Sequence, residues 1–278
     1  MLEIPEAQTV ARQLRETIGG KIVAKVIAAD SPHGFAFYNE PPEKYAEMLQ
    51  GKSIDNSVAI AGQVELSLGN ARLLFNDGIG LKYCESGTKP PKKHQFYMEF
   101  TDGSYICCTV RMYGGMCVFE EGTYTNPYYL VALEKPSPLG DDFSLGYFQG
   151  IVTAAKPSLS LKALLATEQR IPGLGNGCLH DILFNAHMNP MSKISVLSDD
   201  STERLYESLR ETLRQMTLLG GRDTEKDIFG KPGGYKTILS SKTLPFPCPN
   251  CGGTISRRAF LGGNVYYCLN CQPVEAQV

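Results

Sequence analysis

The chain predicts an α+β multidomain fold: an N-terminal helix plus an antiparallel β-sandwich domain, followed by a helical domain that ends in a four-cysteine hairpin. Three observations carry this expectation. Apolar residues recur at helical spacing near the N-terminus, short β-rich runs separated by turns come next, and helical periodicity returns after a break rich in proline and glycine. The 278-residue length suits two compact domains, and 42% apolar with 20% charged residues is a globular composition rather than a disordered one.

The first helix is expected from Pro5 to Ile18, where Ala7, Val10, Ala11, Leu14 and Ile18 form one apolar stripe. Pro5 sits where a helix can begin, and Gly19-Gly20 stops it. Strands are expected at Lys21–Ala28, Val64–Leu68, Ala71–Phe75, Gln95–Phe100 and Ser104–Val110. Thr101-Asp102-Gly103 joins the last two as a hairpin, and Phe96, Met98 and Phe100 alternate as a half-buried strand requires. The aromatic stretch SPHGFAFY, Ser31–Tyr38, reads as packing. Helices then follow at Leu159–Gln169, Asn176–His187 and Ser201–Leu219. Between the second of these and its predecessor lies the turn Pro172-Gly173-Leu174-Gly175, which puts Asn176 at a helix N-cap. Residues 220–245 read as an ordered but mobile glycine-rich loop.

Charge and targeting exclude some functions. No apolar run approaches the roughly 20 residues of a membrane span. The start, MLEIPEAQTVARQL, turns polar too early for a signal peptide, so a cytoplasmic protein with no membrane partner is expected. The net charge is −2, but residues 1–150 carry 13 basic and 18 acidic side chains, whereas residues 151–278 carry 14 basic and 11 acidic. A polyanion should favour the second half.

The most specific motif is Cys248-Pro249-Asn250-Cys251 followed by Cys268-Leu269-Asn270-Cys271. Two Cys-x-x-Cys knuckles at this separation can place four thiolates around one tetrahedral zinc. Such a site leaves no open coordination position, so one structural Zn2+ is expected. The five other cysteines are scattered, which suits a reducing compartment better than a disulfide framework. The turn before Asn176 offers backbone N–H groups and a helix N-terminus, a phosphate-binding geometry that is also common in plain packing. At the N-terminus, Glu3-Ile4-Pro5-Glu6 sets two carboxylates at a helix start, where they can complement the helix dipole or act as acid and base.

The order of these motifs, with the segment LLATEQRIPGLGNGCLHDILFNAHMNP, resembles the formamidopyrimidine-DNA glycosylase / endonuclease VIII family over nearly the whole chain. The resemblance implies a monomeric DNA-repair enzyme that binds damaged double-stranded DNA, flips a damaged base out and excises it. It implies a β-sandwich domain at 1–133, a linker at 134–145, a DNA-binding helix–two-turns–helix domain at 146–240 and a zinc hairpin at 241–278.

Residue by residue, the resemblance makes Glu3 the acid/base and Glu6 its support. Asn176 corresponds to the phosphate-binding asparagine, with Lys162 and Asp181 at further positions of the helical signature. Arg111, Tyr113 and Ile79 fall at or near the residues that fill the space left by the flipped base, and each equally suits turn or strand packing. Three positions depart from the pattern. Leu2 stands where the family has a proline whose amine attacks the sugar, so Met1 or Leu2 occupies the nucleophile position. Gln63 replaces a lysine, and Gly263 replaces the hairpin arginine, leaving Arg257 and Arg258 as nearby substitutes. Without the amine, Schiff-base lyase chemistry should be weak or absent, while hydrolytic removal of an oxidised base by Glu3 stays open. The alternative is a catalytically inactive protein that binds damaged or abasic DNA.

Overall fold

A computed structural model describes residues 2–76, 78–110 and 113–274. The chain divides into two compact units, one of residues 1–133 and 219–234, the other of residues 134–218 and 235–278.

The first unit opens with α1, Ile4–Ile18, whose buried stripe is Ala7, Val10, Ala11, Leu14 and Ile18. Strand β1 is Val23–Ala28, β2 is Ala36–Tyr38, and α2, Pro42–Leu49, follows. Strands β3 (Asn56–Ile60), β4 (Gln63–Leu68), β5 (Ala71–Asn76), β6 (Ile79–Cys84), β7 (Phe96–Phe100), β8 (Tyr105–Val110) and β9 (Gly114–Glu120) complete two sheets. Their orders are β1-β7-β8-β6 and β2-β9-β5-β4-β3. Phe75, Phe96, Met98, Ile106, Met116 and Val118 belong to one core with the α1 stripe. Among the described residues the pairings of these two sheets are antiparallel except β2 with β9, which is parallel. The expected antiparallel sandwich thus carries one parallel edge pairing. The cause is local: Ser31–Tyr38 does more than pack, because it supplies the edge strand β2, with Ala36 opposite Gly114 and Phe37 opposite Gly115.

The segment 219–234, expected with the helical domain, packs in the first unit instead. Ile228 is fully buried in that unit's core. Its carbonyl accepts from Tyr83 N at 2.8 Å. Gln13 of α1 donates to Asp227 at 2.9 Å, and the Phe229 ring meets that of Tyr83 edge-on. One apolar residue inside a polar stretch therefore decides where the loop belongs.

Helix α3 (Pro127–Glu134) lies in the first unit up to Leu133. In the second unit, α4 (Leu145–Ala154) precedes α5 (Leu161–Ala166), α6 (Asn176–Asn185) and α7 (Asp199–Leu218). Ser160 caps α5 through its hydroxyl, which accepts from Ala163 N at 3.2 Å. The N-cap of α6 is Gly175, so Asn176 is the first helical residue rather than the cap. Strands β10 (Ile255–Phe260) and β11 (Gly263–Cys268) form the hairpin. Leu261 and Gly262 both have positive φ, 48° and 72°, as a two-residue hairpin turn requires. Among the described residues no helix is long and apolar enough to cross a membrane.

Candidate active site and metal centre

In the first unit the site begins at the N-terminus of α1. Glu3 is the N-cap residue, and its side chain accepts from the Glu6 backbone while the Glu6 side chain accepts from Glu3 N at 3.3 Å. This reciprocal pair is a capping box built from two glutamates. Both are buried, at 4% and 5% exposure. Two carboxylates removed from water need a compensating cation. Arg222, also buried, provides it: Nε and Nη2 donate to Glu6 at 2.9 and 2.8 Å, and Nη1 donates to Glu3 at 3.2 Å. The Arg222 backbone N–H adds a further bond to Glu6 at 3.0 Å. The backbone approaches this closely because Gly221 lies at φ +96°, where a β-carbon would sit 3.3 Å from Glu6 Oε1. The triad carries one net negative charge.

A cavity of about 350 Å³ adjoins the triad, lined by Leu2, Glu6, Ile79, Thr109, Glu225 and Phe229 among others. Leu2 is 7% exposed, and its side chain joins the core. The residue that the resemblance sets at the nucleophile position is thus a buried leucine; Met1 lies outside the described residues. Ile79 is buried in β6 and lines the cavity, so it is not an exposed wedge. Tyr113 is 43% exposed, whereas Arg111 lies outside the described residues. Gln63 is not a surface group either. It is buried at the start of β4 and donates to the Tyr128 carbonyl at 3.4 Å. Its buried amide is satisfied in this way by the backbone. Of the sequence-selected residues of this unit, Glu3 and Glu6 are brought together, and Leu2 joins Glu6 at the cavity. Arg222 escapes sequence reasoning, because its partners are more than two hundred residues away and only the glycine pair before it hints at a close approach.

The second unit carries a separate constellation. Lys162 of α5 is buried, and its ammonium donates to the Phe260 and Leu261 carbonyls of the hairpin turn at 2.5 and 3.3 Å. Burial pushes its pKa below the usual lysine range. A β-carbon on Gly263 would lie 2.9 Å from Asn176 Nδ2 and 3.6 Å from Lys162 Nζ. Lys162, Asn176 and the hairpin turn thus converge at the N-terminus of α6, where the helix dipole favours an anion. Arg257 and Arg258 stand exposed on β10, opposite Tyr266 and Val265. Asp181 serves the framework: its carboxylate accepts from Ile238 N and Leu239 N at 2.9 and 2.8 Å.

The four thiols Cys248, Cys251, Cys268 and Cys271 lie within 4.8 Å of one another. The separations Cys248–Cys271 and Cys251–Cys268 are 3.7 and 3.5 Å. A tetrahedron with Zn–S bonds of about 2.3 Å requires nearly that spacing. Asn250 donates to Cys271 Sγ at 3.3 Å and Gly253 N to Cys251 Sγ at 3.4 Å, orienting the ligands. The residues fit one structural zinc ion, with no position left for a substrate.

Comparison with known proteins agrees with this geometry. Residues 246–274 match the family described as the zinc finger found in FPG and IleRS. The chain is similar to the formamidopyrimidine-DNA glycosylase of Lactobacillus delbrueckii subsp. bulgaricus, 29% identical over 98% of this chain and 99% of the relative. It is similarly 29% identical to the enzyme of that name from Thermus thermophilus, over 98% of each chain. Among solved structures, the MutM (Fpg) protein of Thermus thermophilus superposes with a TM-score of 0.82 at 25% identity, covering 99% of this chain and 100% of the other. The Lactococcus lactis Fpg in complex with abasic-site DNA gives 0.82 at 24%, covering 97% and 99%, and at that identity speaks for the fold.

Proposed function

Because this chain is similar over nearly its whole length to formamidopyrimidine-DNA glycosylases, we propose that it takes a damaged base out of the DNA stack and removes it by hydrolysis, with Glu3 as the acid/base. The observation that carries this reading is the buried Glu3–Glu6–Arg222 triad beside a cavity lined by Leu2 and Glu6. The base would enter that cavity, whose loop wall spans residues 225–230 and contributes to lesion choice. As the C1′–N bond lengthens, positive charge develops on the sugar, and the net negative triad stabilises it. Glu3 takes a proton from a water as the water oxygen bonds to C1′; the base departs with the electron pair of the broken bond and receives that proton from Glu3, which returns to the carboxylate. No amine takes part, because Leu2 occupies the place of the nucleophile.

DNA is the partner on this reading. Lys162 and Asn176 at the α6 N-terminus hold a backbone phosphate, and the exposed Arg257 and Arg258 add charge.

The test is base release from duplexes carrying oxidised bases, comparing the wild-type protein with Glu3→Gln. Release that falls at least about a hundredfold in the variant, as loss of acid–base catalysis predicts, supports the reading. Equal release refutes the role of Glu3. Tight abasic-DNA binding with no release from any lesion would make the protein a damage-binding protein instead.

A further inference from the structure

The edge strand β2 and the turn that leads into it present two aromatic rings to solvent. Phe35 and Phe37 are 63% and 56% exposed, while the alternate residues Ala36 and Tyr38 pack on the core. Two phenylalanines left in water forgo the burial that would stabilise the fold. His33 stands edge-on to Phe35 at 6.5 Å. Tyr113, 43% exposed, precedes Gly114, whose N–H donates to the Phe35 carbonyl at 3.0 Å.

The same surface runs into the candidate base cavity. Gly78 lies so close to the Tyr113 carbonyl that no side chain fits there, and Gly78 and Ile79 both line the cavity.

A basic loop shares the root of this edge. Residues 87–94, GTKPPKKH, hold three lysines and no carboxylate, although the first 150 residues are net acidic. Ser31 N donates to the His94 carbonyl at 3.0 Å, and His94 N donates to Ser31 Oγ at 3.2 Å. Gln95 Nε2 donates to the Ser31 carbonyl at 3.3 Å, and the Gln95 carbonyl accepts from Tyr38 OH at 2.8 Å. Lys89, Lys92 and Lys93 are exposed.

We propose that Phe35, Phe37 and the 89–93 lysines form a stacking surface for unpaired nucleobases next to the lesion, so that DNA with unpaired nucleotides opposite the damage is bound in preference to fully paired duplex. The proposal rests on the DNA-repair reading above. Exposed aromatic rings on one segment and lysines on the segment bonded to its root suit single-stranded nucleic acid, because every base has a face to stack and a phosphate to neutralise.

The experiment measures the affinity of the full chain for a tetrahydrofuran abasic analogue in two settings, a fully paired duplex and the same duplex with three unpaired nucleotides opposite the analogue. Wild type should favour the unpaired substrate. The F35A/F37A variant should lose about tenfold on that substrate, one stacked base's worth, and little on the paired duplex. The exposed positions leave the fold intact, which a melting curve checks. Lys92→Gln with Lys93→Gln should reduce the salt slope on the unpaired substrate by about 1.4, two phosphate contacts.

Equal loss on both substrates, or no loss, overturns the proposal while the DNA reading stands. Wild type that binds neither DNA overturns both. A wild-type dimer in sedimentation that F35A/F37A dissolves would assign the face to a second copy of this chain and also overturn it.

Discussion

Arg222 grips Glu6 with two guanidinium nitrogens, at 2.9 and 2.8 Å, and reaches Glu3 with the third at 3.2 Å. All three side chains are at most 6% exposed. The loop that carries Arg222 is thereby tied to the first turn of α1, and the same contacts that seat the loop neutralise one of the two buried carboxylates.

Replacing Arg222 by Gln leaves both carboxylates buried without their cation. Breaking a buried pair from one side costs about 3–5 kcal/mol. Arg222→Gln should lower the thermal midpoint markedly and abolish base release. Arg222→Lys keeps the charge but not the two-pronged geometry, so its loss should be intermediate. A melt of Arg222→Gln indistinguishable from wild type would show that the triad contributes nothing to stability.

The nucleophile position can be rebuilt. Leu2→Pro makes Met1 removable and places a proline amine next to Glu3. A displacement of one residue, roughly 3.3–3.6 Å of chain, is then corrected. Borohydride should trap this variant covalently on abasic-site DNA, and should trap little or no wild type. Mass measurement of the processed terminus is the control. An untrapped variant with a confirmed proline terminus would show that the rest of the site no longer supports Schiff-base chemistry.

Chelation should release one zinc per chain and loosen the hairpin. Lys162 then loses the turn that offers it the Phe260 and Leu261 carbonyls, so DNA affinity should fall with the metal. Because the chain lacks tryptophan, the near-ultraviolet signal comes largely from its 14 tyrosines, and the change on chelation should include Tyr266 and Tyr267 of the hairpin. Metal analysis that finds no zinc in reduced protein would remove this prediction.

Restoring an arginine at residue 263 should not restore affinity. Any β-carbon there lies 2.9 Å from the Asn176 amide. Gly263→Ala should weaken DNA binding by about 1 kcal/mol, one hydrogen bond's worth, and Gly263→Arg should not exceed wild type. Arginine binding tighter than glycine would show that the amide moves aside freely.

Features that depend on neighbours along the chain are legible in the residues alone. The α1 stripe and its glutamates sit within one helix, the cysteine spacing follows from two tight turns, and α6 follows its glycine-rich turn. Strands β1, β4, β5, β7 and β8 are visible because each alternates or runs apolar over its own length. Features that depend on distant groups emerge only in the folded chain. Strand β2 exists because β9 lies beside it, in parallel, and its short run carries no period of its own. Gln63 and Ile79 match surface roles by position, yet burial places the first on a carbonyl and the second in a strand. Arg222 sits in a polar loop that local pattern assigns to solvent, and only Ile228, drawn into the core six residues later, carries that loop back to Glu3 and Glu6. Local spacing specifies secondary structure and metal ligation, whereas charge pairing across two hundred residues is specified only once hydrophobic burial has set the chain's path.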